Sequence, residues 1–274
     1  MIRIQWLLAL IVACAAVPGC GKGGDARPAG ERDTERKNPI AKKPLKLFSD
    51  KQSQEWKNSE AKLEAEKRAM AYKDKNSVYV TPNKPDPLRS KPFGLKDALA
   101  GLTGKGPLKA VIETSVGNIT CELLEKEQPL AVAHFVGLAR GTRPWWDPAQ
   151  GLWSDQPFYK ANPVYQVRPG EAFFAGCPMG LGFAEVGFRT IVGVPGSDLL
   201  DKPYILSMPL AKRTPSIGPQ FLITAKPDVV SETAILPIGR CGNEDVITKL
   251  VSLELTPTGR PVENVVVRNI TITR

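Results

Sequence analysis

From Ala110 to the end of the chain, the sequence points to a closed or nearly closed antiparallel β-barrel, for two reasons. Short apolar runs recur around Val164, Phe173, Ile205, Phe221 and Ile235, between an opening hairpin pattern and a closing alternating strand, and only a helix or two is interleaved among them. The 89 residues before this region are polar and charged, which sets them apart as a separate segment.

The first twenty residues, MIRIQWLLALIVACAAVPGC, combine one cation, Arg3, with an apolar run from Trp6 to Val17 that is too short to span a bilayer. Residues 1–19 therefore read as an export signal. The run ends Val17-Pro18-Gly19-Cys20, which resembles the bacterial lipoprotein signal and implies lipidation of Cys20 at a mature N-terminus. Cys14 also fits the letters but would leave an apolar stretch of only a few residues. Gly21 after Cys20 is not the aspartate that retains some lipoproteins at the inner membrane. The expected location is thus the periplasmic face of the cell envelope, with the outer membrane favoured over the inner.

Residues 20–109 read as a basic tether. Gly21 to Lys109 carries 21 Lys and Arg against 12 Asp and Glu, whereas Ala110 to Arg274 carries 15 against 16. The basic excess therefore sits outside the barrel region. No interleaved basic and aromatic pattern accompanies it, so no nucleic-acid partner is expected. Within the tether, residues 49–76 read as a helix: Ser49 and Gln52 form a capping-box pattern, and Trp56, Leu63 and Met70 make one stripe with no second heptad row. Pro82, Pro85, Pro87 and Pro92 then stiffen the connection.

Next, AVIETSVGNITCELL alternates about Gly117-Asn118 as a hairpin. EKEQPLAVAHFVGLARG reads as one amphipathic helix, with Pro129 in its first turn and Gly141 closing it. NVVVRNITITR alternates as the last strand. Cys121, Cys177 and Cys241 have neither CxxC spacing nor a nearby histidine, so no metal or cofactor site is legible. In an exported chain two of the three can pair, and the spacing leaves open which. The only histidine, His134, falls on the helix, which argues against a hydrolase triad.

In order, SVGNITCELL, QPLAVAHFVGLARG, FYKANPVYQVRPG, ILSMP, GPQFLIT, PIGRCGNEDVITKL and RPVENVVVRNITITR resemble the cyclophilin-type peptidyl-prolyl isomerases over residues 110–274. The resemblance implies an eight-stranded antiparallel barrel capped by two helices, and isomerisation of prolyl bonds without cofactor or metal. It also implies a site. The position of the family's catalytic arginine is occupied by Gln166, with Arg168 two residues on and Arg213 in a later loop as cations that could substitute. Gln220 stands where the family has glutamine. The substrate-lining positions are Glu171, Ala172, Phe174, Leu210 and Leu222, and the family's later tryptophan and histidine fall near Val230 and Ile235. Two functions follow as expectations. The chain is either a weak isomerase acting on proline-containing exported polypeptides or a non-catalytic module that binds them or another envelope protein.

Overall fold

The computed structural model describes residues 82–180, 182, 186–192, 200–211, 215–229 and 234–274. The signal segment, Cys20, the helix expected over 49–76, Arg213 and Val230 lie outside the described residues. Among the described residues, no helix is long and apolar enough to cross a membrane.

The expected hairpin is β1 (Lys109–Thr114) and β2 (Asn118–Leu123), in register from Lys109↔Glu122 to Glu113↔Asn118. Its turn is closed from within: Thr114 Oγ1 donates to Gly117 O at 2.6 Å and accepts from Gly117 N. Alternate residues, among them Ala110, Ile112, Ile119 and Cys121, point into the barrel and are fully buried. The expected helix is α2 (Pro129–Arg140), preceded by a short α1 (Leu95–Ala98) and followed by α3 (Glu244–Val251). Gly141 ends α2 in the left-handed region, φ 74°, and a Cβ there would lie 2.0 Å from Asp155 O. Only glycine meets both demands.

The remaining strands are β3 (Trp145–Asp147), β4 (Leu152–Ser154), β5 (Asn162–Pro163), β6 (Gln166–Arg168), β7 (Ala172–Ala175), β8 (Thr190–Ile191), β9 (Ile205–Pro209), β10 (Ser216–Ile217), β11 (Phe221–Thr224), β12 (Ile235–Cys241) and β13 (Val266–Thr273). Nine form one antiparallel sheet in the order β5-β13-β1-β2-β12-β9-β11-β7-β6. Its two edges, β5 and β6, are separated by only Val164 and Tyr165. Val164 N donates to Val265 O on one side, and Tyr165 N donates to Phe174 O on the other. The segment from Asn162 to Arg168 is therefore one strand serving both edges, and the sheet closes as an eight-stranded barrel. Phe135, Phe173, Leu206, Phe221, Ile223 and Ile238 fill its interior, each fully buried.

The domain is expected from Ala110 and the tether up to residue 109; the last stretch of that tether, from Pro82 onward, packs on the barrel. Ala98 is fully buried and Leu108 is nearly so, and Phe93, Leu95, Leu99 and Leu102 lie against the same core. Asp86 and Arg143 form an ion pair at 2.6 Å, and the Arg143 guanidinium lies 3.6 Å from the Phe188 ring centre. The prolines and lysines of this strap are interspersed with the leucines, alanine and phenylalanine that form its small apolar face. The open cysteine question also closes: Cys121 and Cys241, 120 residues apart, sit directly opposite on β2 and β12 and form a disulfide, while Cys177 is buried and shares no disulfide with another described cysteine.

Candidate active site

The seam strand changes face once. Val164 and Val167 point into the barrel core, which leaves two consecutive residues, Tyr165 and Gln166, both directed outward and both opposite Phe174. Two residues against one is the arrangement of a β-bulge, a device that re-aims side chains. After the bulge the alternation is regular. Val167 is buried between half-buried Gln166 and Arg168, so the glutamine and the arginine share the outer face, as the spacing predicts.

On that face the register lays out rows across the strands. Gln166, Phe174, Leu222, Ser207 and Pro237 follow one another from β6 through β7, β11 and β9 to β12, and Arg168, Ala172 and Thr224 form the next row. Tyr165, Ala172, Phe174, Cys177, Leu222 and Ile235 make a second apolar cluster, separate from the barrel core. Arg168 reaches back across its row, so that its guanidinium sits 5.2 Å from the Phe174 ring centre.

Gln220 stands on the other side of the Phe174 and Leu222 row and is held from three directions. A Cβ on Gly176 would sit 2.4 Å from Pro219 O, so the two backbones touch there. From inside the barrel, Tyr159 Oη donates to Pro219 O at 2.8 Å. Buried His134 on α2 reaches Gly218 O at 3.0 Å through Nε2 and Thr190 Oγ1 at 2.7 Å through Nδ1. The carbonyl requires the proton on Nε2, so Nδ1 accepts from the threonine, and burial holds the ring neutral with its pKa pushed down to about 3.

The Gln220 side chain is also oriented. Its Nε2 donates to Tyr165 Oη at 2.9 Å and to Gly182 O at 2.6 Å. A carbonyl acceptor fixes which end of the amide is nitrogen, so Oε1 is left to accept a hydrogen bond from a bound backbone N–H. Burial, with the nearby Cys177 thiol, raises the Tyr165 hydroxyl well above the usual phenol range, so it stays protonated. The sequence reading does not assign Tyr165 a role, and its signal, one extra residue between two inward valines, is visible only once the strand is paired.

The other expected positions divide. Ala172, Phe174 and Leu222 lie together on the outer face. Glu171 lies at the turn between β6 and β7, where its carboxylate pairs with Lys226 Nζ at 2.7 Å. Leu210, expected among the substrate-lining residues, lies on the other face. Even-numbered residues of β9 point inward, so Leu210 follows Leu206 and Met208 into the barrel core while Pro209 turns out. Among the described residues, no group of His, Cys, Asp and Glu is arranged to hold a metal ion.

The family model for cyclophilin type peptidyl-prolyl cis-trans isomerase/CLD matches residues 109–272. The chain belongs to the cyclophilin-type isomerase family. Peptidyl-prolyl cis-trans isomerase B of Streptomyces anulatus is 28% identical over 170 residues, covering 60% of this chain and 96% of that protein. The probable peptidyl-prolyl cis-trans isomerase A of Mycobacterium leprae is 31% identical over 172 residues, covering 60% and 91%. Among solved structures, a cyclophilin-type isomerase of Cryptosporidium parvum aligns over 62% of this chain and 99% of its own, at 20% identity and a TM-score of 0.48. The cyclophilin-type domain thus takes in the barrel and both larger helices, while the strap from Pro82 to Leu108 lies outside the matched span.

Proposed function

We propose that the protein is an envelope lipoprotein whose cyclophilin-type domain binds proline-containing exported polypeptides on the outer face of the barrel and isomerises their prolyl bonds slowly. One observation carries this reading. The apolar row of Phe174 and Leu222 is flanked on one side by Gln220, whose Oε1 has no partner among the described residues, and on the other by the guanidinium of Arg168.

The chemistry asked of such a site is modest in kind and large in barrier. Rotation about a peptide bond faces about 18–20 kcal/mol because the nitrogen lone pair is delocalised. A cation directed at the prolyl nitrogen localises that lone pair and loosens the bond. Gln166, at the position nearest Phe174 on the seam strand, offers only a neutral amide, and charge-assisted hydrogen bonds are roughly twice as strong as neutral ones. Arg168 supplies the charge from the next row, at the cost of leaving Phe174. Gln220 Oε1 holds the backbone of the polypeptide while the ring rests on Phe174 and Leu222. The export signal and the Cys20 motif support the envelope location, and the bacterial relatives named as isomerases support the activity.

A protease-free isomerisation assay on an Ala-Pro peptide, with binding measured in parallel, tests this. The expected result is slow but measurable acceleration by the wild type that disappears in Arg168→Ala while binding persists, and loss of binding in Gln220→Ala. Binding without any acceleration by the wild type would reduce the protein to a non-catalytic polypeptide-binding module, and absence of both would overturn the proposal.

A further inference from the structure

Beside the bulge, on the side away from Phe174, lies a crevice of about 230 Å³ lined by Pro163, Tyr165, Arg260, Pro261, Val262 and Asn264 among others. Pro163, Tyr165, Pro261 and Val262 give it apolar walls beside the polar Asn264, Val262 is 54% exposed, and among the described residues Arg260 is the only charged one in the lining. Among the described residues, the Arg260 guanidinium has no ion-pair or hydrogen-bond partner. Among the described residues, no carboxylate lines the crevice.

Arg260 is nevertheless placed with some rigidity. Thr256 N donates to Arg260 O at 2.8 Å, Arg260 N donates to Thr256 Oγ1 at 3.3 Å, and Leu255 bridges to Pro261. The turn is fastened to the seam strand, since Val167 N donates to Gly259 O at 2.8 Å and a Cβ on Gly259 would lie 3.9 Å from Gln166 Cγ. Tyr165 is shared: it lines the crevice while its hydroxyl accepts from Gln220. A polypeptide lying on the outer face thus passes from the Phe174 row over Gln166 and Tyr165 directly to this crevice.

We propose that the crevice takes a glutamate side chain flanking the target proline, with Arg260 as the specificity-determining residue. Aliphatic walls with one unmatched cation suit a side chain that is methylene for most of its length and anionic at its end. Lysine is opposed by charge, and glutamine gains the packing but not the ion pair. This inference rests on the polypeptide-binding reading above and names the class of sequence that the same site prefers.

The test uses the full-length chain and proline peptides in which glutamate replaces glutamine at one position at a time, up to three residues on either side of the proline. At one position, glutamate should improve affinity about threefold at low salt, as expected for a partly exposed ion pair, with the gain shrinking as salt is raised. Arg260→Ala should erase the preference, Arg260→Lys should keep part of it, and Arg260→Glu should turn it toward lysine. Equal binding of the glutamate and glutamine peptides at every position, or a preference that survives Arg260→Ala, would overturn the inference while leaving peptide binding intact. A wild type that binds no peptide of the series would overturn the underlying reading and the inference with it.

Discussion

The guanidinium of Arg168 and the ring of Phe174 face each other on adjacent strands at 5.2 Å, beside the row that also holds Gln166. A proline ring placed on Phe174 meets that cation directly. Replacing Gln166 by arginine brings a second guanidinium to the same ring and like charge next to Arg168, so the single change Gln166→Arg should recover little. Gln166→Arg combined with Arg168→Ala should exceed both singles, by about tenfold for each 1.4 kcal/mol of transition-state stabilisation regained. Isomerisation rates for the four proteins check this, and a fully active Gln166→Arg single variant would refute it.

The ion pair of Asp86 and Arg143 fastens the strap to the barrel. Their side chains are 16% and 7% exposed. Burial alone would raise the Asp86 pKa, but the hydrogen bond from Arg143 and that from Leu88 N outweigh it and hold it below the ordinary value. A depressed carboxyl contributes stability that is present above the unfolded-state pKa and lost as pH falls through the folded-state one. Asp86→Asn should therefore lower stability at neutral pH by roughly 2–4 kcal/mol, because Arg143 is left buried without its counter-charge, and the gap to wild type should narrow as the pH falls through the depressed Asp86 pKa. Denaturant titrations at pH 7 and pH 3 measure both.

The cross-strand bond between Cys121 and Cys241 closes a loop of 120 residues where β2 and β12 share only three pairs. Losing such a link costs about 2–5 kcal/mol. The double variant Cys121→Ala, Cys241→Ala should melt several degrees lower than the oxidised wild type, and a thiol reductant should bring the wild type down to the same level without affecting the variant. Insensitivity of the wild type to reductant would show that the bond does not form.

Full-length protein should partition with membranes through Cys20, and Cys20→Ser should release it to the soluble fraction. Equal release of both on washing would remove the lipoprotein assignment.

The hairpin, α2 and the last strand are legible in the sequence because their signals are local: alternation with period two, a proline in the first helical turn, and Gly141 where the backbone turns left-handed. Long-range features are not. The Cys121 partner depends on β2 and β12 being neighbours, and the inward turn of Leu210 depends on which parity of β9 faces the core. The bulge at Tyr165 adds one outward residue without altering composition or periodicity over any window long enough to detect it. At the site, Gln166, Arg168, Gln220, Phe174 and Leu222 fall together as the family order implies, whereas Tyr165 and Arg260 join them only through tertiary contacts. The packing of the strap is not legible because its apolar residues follow no helical or strand period and alternate with prolines, lysines and glycines of the kind that mark a linker.

The strand that closes the barrel is also the strand that carries Gln166 and Arg168, with Tyr165 at its bend. Until β6 pairs with β7, Gln166 and Arg168 have no fixed place beside Phe174. Closing the barrel and bringing Gln166 and Arg168 beside Phe174 are thus one event.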